Sequence, residues 1–267
     1  MSAQNSPLLS VHNVSNAYIS RRFGAFGKKE KKQVLRNINL EILPGEIYGL
    51  VGESGCGKTT LGLCILGLLD YEGEIILNNK PMIVRDSRYQ NSRSRKERAS
   101  MVQVVFQDPA GALNPVMSVG WILEEPLRVH SIGDKKEREK KVDQMLDLVG
   151  LDASYKKRKP GELSSGQKQR ISIACALMLN PSLIIADEPV SALDVSVGAQ
   201  ILNLFRDLNK RLGLSLLFIS HNLNLVYYLC DRISVMKQGR IVEQGNAEEV
   251  YAHPQHPYTR ELLAATT

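Results

Sequence analysis

The chain has 267 residues, 43% of them hydrophobic, which supplies a core for one large or two small α/β domains and excludes a disordered chain. No apolar run approaches the roughly 20 residues of a membrane-spanning helix, and residues 1–10 lack the basic end and apolar stretch of a signal peptide, so a cytoplasmic chain is predicted. The net charge of +6 is concentrated in residues 21–32, 85–98, 135–141 and 156–159. These clusters lack the aromatic interleaving of a single-strand-binding surface, so they are read as solvated insertions or helix faces, with no nucleic-acid partner.

In chain order, apolar β-rich runs fall at residues 8–14, 34–42, 47–51, 74–77, 101–106, 183–186, 216–219, 233–236 and 240–243. Apolar residues spaced by three and four predict helices over 59–69, 167–179 and 197–211. The alternation predicts a parallel sheet wrapped by helices. The early strands, with turn signals at Pro44-Gly45 and Asn78-Asn79, predict an added antiparallel layer. Strand signals vanish between Asp108 and Pro160, where patterns such as 136–149 predict a helical subdomain. Cys56, Cys64, Cys175 and Cys230 form no C-x-x-C pair and are read as buried small residues or, for Cys56, a loop filler.

Directly after the run 47–51 stands Gly52-Glu53-Ser54-Gly55-Cys56-Gly57-Lys58-Thr59-Thr60, which fits G-x-x-x-x-G-K-[ST]. Glycines let successive backbone N–H groups converge on phosphate oxygens, and the following helix turns its positive end to the same anion. The pattern predicts a nucleoside triphosphate site, with Lys58 on the β and γ phosphates and the Thr59 hydroxyl on magnesium.

The run 183–186 ends in Asp187-Glu188, acids at the carboxyl edge of a sheet, where Asp187 would hold magnesium and Glu188 would orient or deprotonate the attacking water. Each acid alone is equally a helix-capping residue; loop and acids together are not explained that way. The run 216–219 leads into Ser220-His221, which places an imidazole at the same kind of edge, although a histidine there is more often a capped or core residue.

Leu163-Ser164-Ser165-Gly166-Gln167, followed by a helical pattern, closely resembles the signature motif of ABC-transporter nucleotide-binding domains, and the resemblance covers essentially the whole chain in the family's order. It implies an α/β fold: a P-loop NTPase ABC nucleotide-binding domain with an antiparallel β subdomain and an inserted α-helical subdomain. The implied division is a catalytic core with β layer over residues 1–107 and 161–250, a helical subdomain over 108–160 and a tail over 251–267.

The same resemblance implies that Tyr18 stacks on adenine, that Gln107 touches magnesium, and that Asp194 belongs to a loop crossing a dimer interface. It casts Ser164, Ser165, Gly166 and Gln167 as contacts to a partner's ATP, and Glu188 and His221 as the catalytic pair. Ser165 stands where the family usually has a second glycine; a positive φ there would cost about 1 kcal/mol.

Val105-Phe106-Gln107-Asp108-Pro109, the early insertion, and the tail His253-Pro254-Gln255-His256-Pro257-Tyr258-Thr259-Arg260-Glu261-Leu262-Leu263 resemble ATPase subunits of oligopeptide, dipeptide and nickel importers, in a short form lacking a cysteine-rich extension. A metal site on His253 and His256 is the weaker reading of that tail. The resemblance implies ATP and Mg2+ as cofactors and attachment to the cytoplasmic face of the cell membrane. The implied partners are a second homologous ATPase subunit, two membrane permease subunits and an extracytoplasmic binding protein. Peptide is the leading substrate, nickel or a metal chelate the alternative, and a nucleic-acid- or ribosome-acting ATPase the rival class.

Overall fold

A computed structural model describes residues 6–21, 29–82 and 92–265. Along the chain it forms β1 (Leu9–Arg21), β2 (Lys29–Ile42), β3 (Ile47–Val51), α1 (Lys58–Ile65), β4 (Glu72–Leu77), β5 (Lys80–Pro81), α2 (Ser92–Met101) and β6 (Val102–Val105). Then follow α3 (Pro109–Ala112), α4 (Val119–Val129), α5 (Lys135–Leu148), α6 (Ser165–Leu177), β7 (Leu183–Asp187), α7 (Val195–Leu212) and β8 (Ser215–Ser220). The chain closes with α8 (Leu223–Leu229), β9 (Arg232–Lys237), β10 (Arg240–Asn246), α9 (Ala247–Ala252) and α10 (Pro257–Ala264). None of the described helices is long and apolar enough to cross a membrane.

The chain divides into two compact units, Met1–Arg95 with Ser215–Thr267, and Lys96–Leu214. In the first, β1 pairs antiparallel with β2 and with β4, and β5 returns on β4 through Asn78 and Asn79, at φ 52° and 58°. Two successive left-handed residues make the tight hairpin that the Asn-Asn pair signals. A second layer joins β3 in parallel to β8 and β9, with β10 antiparallel on β9. All five residues of β3 and all six of β8 are buried, as expected for strands covered on both faces.

The second unit contains the parallel pair β6 and β7, the latter wholly buried, and the helices α3 to α7. Between Asp108 and Pro160 the chain is helix and loop throughout. Amphipathic α4 buries Val119, Ile122, Leu123 and Leu127, and α5 buries Val142, Met145 and Leu146. The α5 start has a capping box: Asp134 accepts from the Glu137 amide and Glu137 from the Asp134 amide.

Two sequence expectations change. The strands expected at 8–14 and 34–42 continue into the basic stretch 21–32 where it is described: β1 and β2 run on as one antiparallel ribbon with Ser20 opposite Glu30 and Arg21 opposite Lys29. Charged residues there hide the period-2 signal that an alternating apolar face would give. The remainder of that stretch, 22–28, and part of the basic cluster 85–98 lie outside the described residues. Helix α1 ends at Ile65 instead of reaching residue 69, because the chain turns at Gly67 with φ 72°.

Candidate functional site

The predicted site residues fall into two sets. Tyr18, the stretch Gly52 to Thr60, and His221 lie in the first unit; Gln107, Ser164 to Gln167, Asp187, Glu188 and Asp194 lie in the second.

In the first unit Val51 pairs in register with Ser220, so the glycine-rich loop after β3 and His221 after β8 leave the same sheet edge. The loop is held by its own glycines. Gly55 and Gly57 adopt φ 78° and 113°, and a Cβ on Gly52 would sit 2.1 Å from the Met236 carbonyl oxygen. A Cβ on Gly55 would meet nothing within 4 Å, so the turn of the loop faces open space.

The lysine is folded back over this loop. Lys58 is buried, and its Nζ donates to the carbonyl oxygens of Gly52 at 2.7 Å and Glu53 at 2.9 Å. Helix α1 starts from Gly57 with no side-chain cap and no acid in its first turn. By contrast, α3 to α10 each begin with a side chain that accepts a first-turn N–H. Unfilled N–H groups and an unopposed helix dipole make this end an anion site. Tyr18 is 44% exposed on β1, opposite Lys32 of β2.

In the second unit Val105 pairs in register with Ala186, so Gln107 and the Asp187-Glu188 pair follow strands that end at one edge. Asp187 is buried at the end of β7 and Gln107 is exposed. Glu188 is half-buried with φ 48°, a left-handed conformation that costs a residue with a Cβ about 1–2 kcal/mol.

Ser164 begins α6. Its Oγ accepts from the Gln167 amide at 3.3 Å, and Gln167 Oε1 accepts from the Ser164 amide at 3.0 Å. This capping box leaves the Ser164 hydroxyl proton free to donate, along with the Ser165 and Gly166 amides, which a helix ladder does not use. Ser165 is the first helical residue and keeps a negative φ, so the serine at this position carries no backbone penalty. Asp194 caps α7: its carboxylate accepts from the Val197 amide at 2.9 Å and from Ser196 Oγ at 2.8 Å. These donors, Val197 first, hold its carboxyl below the ordinary value.

The cysteines do no visible chemistry. Cys64 and Cys230 are buried as read, the loop residue Cys56 is buried as well, and Cys175 is half-buried where burial is expected. Burial, with Asp70 nearby, pushes the Cys64 thiol up to about 12, and burial with Glu125 pushes Cys175 to about 11. His256 accepts the Tyr258 amide on Nδ1 at 3.1 Å and thereby caps α10.

Sequence reasoning missed the contact of Tyr258 to the loop. The Tyr258 hydroxyl accepts a hydrogen bond from the Glu53 amide at 3.0 Å. Residues 205 positions apart leave no local signal; only the Pro257 helix start was available to place α10.

The description ABC transporter matches residues 35–191. The chain belongs to the ABC transporter family. It is 46% identical over 261 residues to a putative peptide import ATP-binding protein of Brucella ovis, covering 97% of this chain and 78% of the relative. It is 43% identical over 264 residues to the dipeptide transport ATP-binding protein DppF of Haemophilus influenzae, covering 98% and 79%. Among solved structures it resembles the ATP-binding cassette MJ0796 in a dimeric post-hydrolysis state with ADP and Pi. The TM-score is 0.75, with 30% identity and 90% and 98% of the two chains covered. The fold is that of an ABC nucleotide-binding cassette, and the elements described above are its α/β core, antiparallel strands and helices.

Proposed function

We propose that this chain is the ATP-hydrolysing subunit of an importer of dipeptides or oligopeptides. The uncapped start of α1 behind a loop that opens onto empty space carries the nucleotide part of this reading. The peptide part rests on the relatives, whose names favour peptides over nickel or a metal chelate.

In this reading ATP phosphates take the amides of the loop and of the first turn of α1, and Lys58 exchanges its carbonyl contacts for the β and γ phosphates. Thr59, Asp187 and Gln107 offer hydroxyl, carboxylate and amide oxygens, a donor set suited to magnesium. Magnesium, when bound, supplies neutralisation of phosphate charge. Glu188 takes the proton of the attacking water or orients it, His221 steadies the γ-phosphate, and Tyr18 stacks on the adenine.

Ser164 and the first-turn amides of α6, with Ser165 to Gln167, engage the γ-phosphate bound to a second ATPase subunit, and Asp194 orders the chain beside it. Two ATP molecules then bridge a head-to-tail pair, and hydrolysis removes the bridging charge and reopens it. Two permease subunits at the cytoplasmic face of the membrane feel that cycle, and an extracytoplasmic binding protein delivers the peptide.

Purification of the assembly from mild-detergent membranes with ATP and Glu188→Gln tests the reading. Recovery of a second ATPase, two membrane subunits and a binding protein that takes peptides is the expected result. Ribosomes or DNA in their place overturn the transporter assignment, and a binding protein selective for nickel chelates overturns the substrate.

A further inference from the structure

The sequence reading takes the tail 251–267 as a marker of subfamily or, more weakly, a metal site, yet in the structure its Tyr258 reaches the phosphate loop. The peptide unit joining Gly52 to Glu53 is held at both ends: its carbonyl oxygen accepts from Lys58 Nζ at 2.7 Å, and its N–H donates to the Tyr258 hydroxyl at 3.0 Å. Tyr258 itself is fixed. The residue is 2% exposed, and Lys237 Nζ lies 4.2 Å from the ring centroid.

The segment behind Tyr258 is tied down through one carboxylate on β10. Glu243 Oε1 accepts from the Gln255 amide at 2.8 Å, and Oε2 accepts from the His256 amide at 3.0 Å and from the Thr259 hydroxyl. Thr259 is fully buried, and His256 caps the same short helix by accepting the Tyr258 amide. Three donors converging on one carboxylate, plus a cap and a buried aromatic ring, fix the hydroxyl's position more tightly than a single surface contact would.

We propose that the tail is a latch on the phosphate loop, with Tyr258 as a positioning residue for nucleotide binding and Glu243 as its anchor. The inference rests on the reading of this loop as the ATP site. Lys58 holds the carbonyl side of the peptide unit only until it turns to the phosphates. From then on the Tyr258 hydroxyl is what keeps the unit oriented. Without it the Gly52–Glu53 peptide is free to rotate on a glycine, and the loop pays ordering entropy each time nucleotide binds.

The test compares the full chain with Tyr258→Phe, which keeps the buried ring and the Lys237 contact and deletes only the hydroxyl. Amide hydrogen exchange resolved at Glu53, measured without nucleotide, is expected to accelerate roughly tenfold in the variant, while exchange in β3 stays parental. MgATP affinity, by calorimetry, is expected to fall roughly three- to tenfold, the worth of one hydrogen bond. Glu243→Gln, which loosens the anchor without touching the loop, is expected to shift both readouts in the same direction. Parental ATP affinity in Tyr258→Phe, or a Glu53 amide as protected as in the parent, overturns the latch while leaving the loop's ATP role intact. A parent chain that binds no MgATP overturns the nucleotide reading itself, and the latch's role with it.

Discussion

Gly166 lies so close to Val197 that a Cβ on the glycine would come within 2.5 Å of the valine Cγ1. The obstructing atom is a branch methyl on a short side chain, which cannot swing away. Replacing a helical glycine by alanine ordinarily gains about 1 kcal/mol, but overpacking of this kind costs about 1–3 kcal/mol, so Gly166→Ala is expected to lower the melting temperature. In a Val197→Ala background the obstruction is gone and the same substitution should stabilise. Calorimetry on the four proteins of this cycle gives a coupling above about 1 kcal/mol if the contact fixes α6 against α7; additive effects would refute it.

Glu188 occupies a left-handed backbone that its residue type does not favour. At most positions alanine is more stable than glycine, but at φ 48° the order should reverse, with Glu188→Gly more stable than Glu188→Ala by about 1 kcal/mol. Thermal unfolding of the two variants decides it. Both, and Glu188→Gln, are expected to lose hydrolysis by roughly a hundredfold or more, while Glu188→Gln keeps ATP-driven association with a partner. Parental turnover in Glu188→Gln would remove this residue from the chemistry.

Lys58 is buried with its ammonium on two loop carbonyls, so Lys58→Ala removes both the proposed phosphate ligand and the brace of the loop. A ligand at a hundred times its Kd stabilises its protein by about 2.7 kcal/mol. The parent should therefore show a clear rise in melting temperature with saturating MgATP, and Lys58→Ala little or none. An equal rise in both proteins would place the nucleotide elsewhere.

The parts of this molecule that the sequence disclosed are those set by neighbours along the chain. The glycines at 52, 55 and 57 are demanded by the loop's own backbone, and the apolar runs of β3, β7 and β8 by burial on both faces. Ser164 and Gln167, three apart, also carry a helix-start pattern, and it is this cap that gives Ser165 an ordinary helical backbone in place of the strained one considered for it. What stayed hidden depends on distance or on a compromise. Nothing local announces that Tyr258 meets Glu53, that charged strands continue through Arg21 and Lys29, or that Glu188 turns left-handed.

Glu243 gives the tail a pH dependence of defined sign. Burial raises its pKa, but the donations from Thr259, Gln255 and His256 outweigh that and leave it below the ordinary 4.5. A carboxylate whose folded pKa is depressed contributes stability that is fully present above the unfolded value and is lost as pH falls through the folded one. The contribution of Glu243 to the attachment of residues 253–264 should therefore be fully present above 4.5 and be lost progressively below it. Glu243→Gln, with no proton to bind at that position, should show a weaker attachment that lacks this acid loss. Amide exchange across α10, measured for both proteins between about pH 3 and 7, should converge at the acid end; parallel curves over the whole range would mean that Glu243 does not anchor the tail.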